Sequence, residues 1–144
     1  MIRPIMKIPL FLERPSEAAL PQDVEVARDL VDTLAAHADE CAGMAANMIG
    51  VRKRIIVFDN EGTPCVMFNP VIVKSVGPYE TQERCLSLAG TRGATRYKRI
   101  TVEYDHLSLD AGDGLGFVRK KESFQGWTAQ IIQHEVDHCE GVLI

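Results

Sequence analysis

The spacing of apolar residues changes along the chain, and each change marks a change of backbone structure. Between residues 22 and 38 the apolar positions Val24, Ala27, Leu30, Val31, Leu34 and Ala35 recur at helical spacing, which predicts a helix with one buried face. Asp23 and Glu25 stand at its start, where the positive end of the helix dipole favours acidic groups. Upstream, Pro4, Pro9 and Pro15 interrupt residues 1–20 and predict an irregular segment. The middle of the chain switches to dense runs of Val, Ile and Phe, RIIVF at 54–58 and CVMFNPVIVKSV at 65–76, with Asn60, Glu61 and Gly62 placed for a turn between them. Around Ile100, Val102 and Tyr104 the apolar residues alternate with Thr101, Glu103 and Asp105, as in a strand with one face in the core. Asp113-Gly114 predicts a hairpin turn into LGFVRKK.

Helical spacing returns from about 125 to 140, and Gly141 stands where a left-handed C-cap belongs. On this last helix Trp127, Ile131, His134 and His138 follow one another at spacings of four, three and four. Both histidines are therefore predicted to extend the apolar stripe instead of facing water. A run of strands closed by one helix predicts an α+β fold.

Composition narrows the class. With 144 residues, 46% hydrophobic and 25% charged, the chain is expected to form a single domain spanning 1–144 around one core. The formal charge of −4 and the lack of a long basic run point away from a nucleic-acid partner. No apolar run approaches the ~18 residues of a membrane span, and IPLFL near the start is too short for a signal segment. These features predict a cytoplasmic protein with no membrane association. The four cysteines, Cys41, Cys65, Cys85 and Cys139, are too widely spaced in a chain of this length to suggest a disulfide framework.

The chemistry concentrates in three segments. His134-Glu135-Val136-Asp137-His138 is an H-E-x-x-H run on a predicted helix. Residues four apart share a face, so two imidazoles can converge on one metal ion while Glu135 reaches a water beside it. The bland alternative is a pair of core histidines satisfied by local hydrogen bonds. A catalytic site needs a third ligand, for which Cys85, Cys41, Cys65, His106 and acidic residues are candidates. Cys85 stands out because ERCLSLAG follows a β-rich stretch whose end can meet the helix. In CAGMAANMIGV (41–51), Gly43 and Gly50 bracket small residues, which permits close approach of another chain or a ligand, or simply tight packing.

These segments, in this order, resemble the peptide deformylases, metalloenzymes that remove the formyl group from N-formylmethionine on new bacterial polypeptides. The family carries motifs like Gly-x-Gly-Leu-Ala-Ala-x-Gln-x-Gly, Glu-Gly-Cys-Leu-Ser and Gln-His-Glu-x-Asp-His. Here they read Cys41 to Gly50, Glu83 to Ser87 and Gln133 to His138. The similarity extends over essentially the whole chain, including IRPIM, TRYKRITVEY and CEGVLI. It implies antiparallel sheets packed around a central C-terminal helix that carries the third motif. It also implies Cys85, His134 and His138 as metal ligands and Glu135 as general base and acid. The implied metal is Fe(II) first, with zinc, nickel or cobalt able to occupy the site. The implied partners are formyl-Met nascent peptides, met near the ribosome.

In the family the oxyanion is stabilised by the backbone N–H after the cysteine, Leu86 here, and by the first-motif glutamine. Asp137 and Glu83 are expected to orient ligands and loops. For the methionine side chain, Ile131 and Ala42 or Met44 are the expected pocket, with the peptide extended against backbone near Gly43. The chain departs from the pattern at three positions. Met48 occupies the glutamine position and cannot donate a hydrogen bond, and neighbouring Asn47 has an amide that could. Arg84 replaces the glycine before the cysteine, adding charge that favours an acidic substrate group or narrows the mouth. Cys41 replaces the first glycine. Competing readings are a metal-binding paralogue with weakened turnover and a hydrolase of another small N-acyl group. A cysteine-based redox protein would need a C-x-x-C pair, which is missing.

Overall fold

The computed structural model describes residues 1–108 and 116–144; the expected turn at Asp113-Gly114 lies outside them. Three helices and five strands follow in the order α1 (Pro9–Leu12), α2 (Val24–Ala36), β1 (Gly43–Ala45), β2 (Ile55–Asn60), β3 (Thr63–Cys85), β4 (Leu88–Ser108), β5 (Gly116–Gln125) and α3 (Gly126–Cys139). Short 3₁₀ turns precede α2 and follow β1. Among the described residues, no helix is long and apolar enough to cross a membrane.

Residues 1–20 are not wholly irregular, because the proline expected to break structure starts some. Pro9 occupies the first turn of α1, where its missing N–H is not needed, and Leu12 at the end of that helix is fully buried. In α2 the buried set is Ala27, Leu30, Thr33 and Leu34. Ala35, counted in the predicted stripe, is exposed, and Thr33 is buried instead. The Thr33 hydroxyl donates to the carbonyl of Asp29 and accepts the N–H of Arg3, so its polarity is satisfied where it lies.

Among the described residues the strands form an antiparallel sheet in the order β1-β2-β3-β4-β5, as the expected α+β fold requires. Two long strands make it one continuous sheet. β3 and β4 pair from Phe68↔Asp105 to Cys85↔Leu88, with register shifts after Phe68, Ile72 and Arg84 that bend the ribbon instead of ending it. Asn60 pairs with Thr63 across Glu61 and Gly62, which both have positive φ (52° and 92°) as a two-residue hairpin turn requires.

The unbroken apolar run of β2 has a structural cause: both faces of this strand are covered. Ile55 and Val57 pack with Leu30 and Leu34 of α2, and Ile56 and Phe58 pack with Ile132 and Val136 of α3. The sheet thus separates two apolar clusters, with α2 on one side and α3 on the other. At the end of α3, Gly141 (φ 79°) turns the chain back, and a Cβ there would lie 2.4 Å from the carbonyl oxygen of Glu13. That close approach tethers the helix end to the N-terminal segment.

Candidate metal centre

The two histidines of α3 stand one turn apart, buried, on the face turned toward the end of β3. The His134 and His138 Nε2 atoms lie 3.1 Å apart, and Cys85 Sγ lies 3.3 Å from His138 Nε2. Together the three donor atoms fall within 4.8 Å of one another. Cys85 reaches them because it is the last residue of β3. The chain turns there through Leu86 and Ser87 into β4, and the Ser87 N–H points at the sulfur from 3.4 Å.

The donor set fits one divalent cation. Burial opposes a charge on His134, but hydrogen bonds to Cys85 and Glu83 outweigh it and raise the imidazole to about 10. His138 is pushed down to about 3 by burial and by facing His134. Thiolate and imidazole together suit zinc or iron.

Behind the donors runs a buried ionic network. Glu83 Oε1 lies 2.8 Å from His134 Nδ1, which directs the other ring nitrogen toward Cys85 and His138. Arg96 on β4, 4% exposed, donates to both Glu83 oxygens through Nε and Nη2, at 2.7–3.2 Å, and through Nη1 to Asp137 at 2.6 Å. Gln130 Nε2 adds a bond to Glu83 at 2.9 Å, and the Tyr79 hydroxyl donates to Gln130 Oε1. Burial alone would push the Glu83 carboxyl up, yet the bonds from His134, Arg96 and Gln130 prevail and hold it at about 2. Gln133 pins the helix to β4 by accepting the Tyr97 N–H at 2.8 Å and donating to the Tyr97 carbonyl at 2.9 Å.

Sequence reasoning assigned orienting roles to Glu83 and Asp137 but missed Arg96, Gln130, Gln133 and Tyr79. A signal for Arg96 exists in the strand pattern. It shares the inward parity of Ile100, Val102 and Tyr104, and an arginine in that register demands a buried acidic partner.

Glu135 follows His134 on the helix and lines a cavity of about 340 Å³ with Gly43, Met48, Cys85, Leu86 and Ile131. Burial pushes its carboxyl up to about 7, and Oε1 has no hydrogen-bond partner among the described residues. Gly43 makes this possible. A Cβ at that position would lie 2.6 Å from Ile131 Cγ2 and 2.9 Å from Glu135 Oε2, so the close approach read from the glycine is the approach of α3 to β1.

Several expectations need correction. Met44 is fully buried in the apolar cluster beneath α2 and does not line the cavity; alternation along β1 turns it to the face opposite Gly43. Trp127 does not continue the buried stripe. It is 64% exposed, at the cavity rim on the first turn of α3. Asn47 is buried, and its amide donates to the His138 carbonyl at 3.0 Å, tying the first motif to the end of α3. Met48 does line the cavity, its sulfur facing the Ala45 N–H at 3.5 Å.

Among the described residues, the other cysteines do not join the donor cluster. Cys41 lines the cavity, but burial pushes its thiol up to about 12. Cys65 and His106 line a separate cleft between α2 and the sheet. Cys139 lies in the core.

A family model described as polypeptide deformylase matches residues 3–144. The chain is 52% identical, over the full length of both, to a peptide deformylase of Clostridium beijerinckii. It is 37% identical to a peptide deformylase of Dictyoglomus thermophilum, over 83% of this chain and 72% of that one. Among solved structures, a peptide deformylase from Legionella pneumophila superposes with a TM-score of 0.80 at 30% identity, covering 99% of this chain and 83% of the other. A class I type b peptide deformylase from Acinetobacter baumannii gives a TM-score of 0.82 at 24% identity, covering 99% and 97%, a likeness of fold.

The network generates a prediction about stability. Arg96→Met leaves Glu83 and Asp137 without their cation and is expected to cost about 3–5 kcal/mol. Arg96→Lys should recover only part of this, since one ammonium cannot reproduce the fork that binds both carboxylates. Urea denaturation of the three proteins measures the difference; equal stability of Arg96→Met and the parent would refute the role given to the arginine.

Proposed function

The chain belongs to the polypeptide deformylase family, and from that premise we propose how its cavity divides the work. The enzyme is a metallohydrolase that removes the N-formyl group from the formylmethionine of newly made polypeptides. One observation carries the assignment of residues: three metal-donor atoms converge within 4.8 Å beside a buried glutamate of the same cavity whose Oε1 has no hydrogen-bond partner among the described residues.

Cys85, His134 and His138 hold a divalent metal, and the thiolate-imidazole donor set supports Fe(II), with zinc, nickel and cobalt suited to the same ligands. The chemistry supplied by such an ion is Lewis acidity toward water and toward the formyl oxygen. Glu135 takes a proton from the attacking water, a task matched by a carboxyl that burial raises to about 7. It returns a proton to the departing amine as formate separates. Gly43 and Ile131 pack closely against this carboxylate, since a Cβ on Gly43 would lie 2.6 Å from Ile131 Cγ2 and 2.9 Å from Glu135 Oε2.

The oxyanion receives the Leu86 N–H, at the hairpin turn beside Cys85. The methionine side chain enters between Ile131, Ala42 and Met48, while its backbone runs between Gly43 on one wall and Gln82 to Leu86 on the other. Among the described residues, β1 pairs only with β2, and β3 pairs only with β4 from Pro78 to Cys85. Both walls therefore offer free strand edges to an extended peptide. We place its action on nascent chains close to the ribosome in the cytoplasm, where formylated N-termini arise.

Two expected outcomes test this division. Cys85→Ala and His138→Ala should lose metal on elemental analysis, while Glu135→Gln should keep it and lose at least about 100-fold in kcat on a formyl-Met peptide. Near-normal turnover in Glu135→Gln would remove the glutamate from the mechanism. Met48→Gln offers the donor that a thioether lacks, and kcat should rise about tenfold with less change in KM, since the new bond strengthens as charge develops on the oxygen. Unchanged or lower kcat in a folded, metal-replete variant would show that the site does not lack this donor.

A further inference from the structure

The outward side chains on the last part of β3 are Glu80, Gln82 and Arg84, all exposed. Two of them are engaged by threonines of β4. The Thr95 hydroxyl donates to Glu80 at 2.6 Å, and the Thr91 hydroxyl approaches Gln82 Oε1 at 3.4 Å. The Arg84 side chain has no hydrogen bond or ion pair among the described residues, although it lines the catalytic cavity. The acidic group on the facing wall, Glu40, has a partner of its own in His37 Nδ1 at 3.2 Å. The cavity lining thus includes both an uncompensated guanidinium and the exposed indole of Trp127.

The direction of the substrate follows from the site. The formyl carbon must lie near Cys85 and Glu135, and the methionine side chain fills the enclosed part near Ile131. The rest of the peptide can leave only past the rim. An extended chain advances about 3.3 Å per residue, so the second and third residues pass within reach of an arginine on the residue adjoining Cys85. An acidic side chain there gains a partner, and its stem can lie on the indole.

We propose that Arg84 is a specificity-determining residue that favours formyl-Met chains carrying Asp or Glu at the second or third position over chains carrying Lys there. The proposal rests on the deformylase reading of the cavity. A partly exposed ion pair changes affinity by only a few fold. Attraction for Glu and repulsion of Lys together give a discrimination of about threefold to tenfold at low ionic strength, weakening as salt screens the charges.

The test uses the metal-loaded enzyme and two peptides, Met-Glu-Glu-Ser and Met-Lys-Lys-Ser. Calorimetric binding is measured on these free-amine products, and kcat/KM on their formylated forms. The parent should favour the acidic peptide about threefold to tenfold in both measurements. The ratio should fall toward one in high salt and in Arg84→Gln. It should persist in Lys74→Gln, which removes an equal charge from an exposed position of β3 outside the cavity. A ratio of one in the parent, a ratio that survives Arg84→Gln, or failure of both peptides to bind would overturn the proposal. Absence of turnover on either formylated peptide would overturn the deformylase reading instead, and the binding ratio would still decide the role of Arg84.

Discussion

A guanidinium buried among three elements is the constraint on which the rest of the site depends. Arg96 comes from β4, its partner Glu83 from β3 and its partner Asp137 from α3. Removing an arginine from water costs several kcal/mol, and the cost is offset only if its donors meet carboxylates in good geometry. That requirement fixes the helix against the strands to within a hydrogen-bond length. It also keeps Glu83 ionised and aimed at His134, so the orientation of one candidate metal donor is set by an interaction outside the donor cluster.

The second constraint is steric. α3 can lie close to β1 only because Gly43 has no side chain, and this closeness buries Glu135 beside the donors. Burial raises its carboxyl, which suits the proton-transfer role proposed for it. The same packing that stabilises the fold thus sets the acidity of the proposed base. The two-sided burial of β2 serves this end, since it gives α3 a rigid floor and leaves α2 to cover the opposite face.

Much of this was legible in the chain. The helical spacing of the histidines, the turn at Glu61-Gly62 and the left-handed Gly141 follow from local rules that the tertiary structure did not override. Local spacing does not say which of Cys85, Cys41, Cys65 and His106 meets the two histidines, because Cys85 is brought to them by a hairpin whose register shifts cannot be read from periodicity. Met44 was misjudged for a related reason: in a three-residue strand, adjacent positions face opposite sides, and the sequence does not say which side holds the site. Arg96 was missed because an arginine in a strand normally marks solvent, and only its partners reveal otherwise. Trp127 shows the converse error, an aromatic at the right helical spacing left in the open by its place in the first turn of α3.

Glu83 orients His134 toward the other donors, with Arg96 holding it in place. The most direct measurement is the metal affinity of Glu83→Gln, read by competition with a chromogenic chelator for zinc, with circular dichroism to establish that the variant is folded. Affinity is expected to fall by about 10–100-fold, the usual consequence of losing a group that orients a ligand histidine. Parental affinity in a folded Glu83→Gln protein would contradict this orienting role.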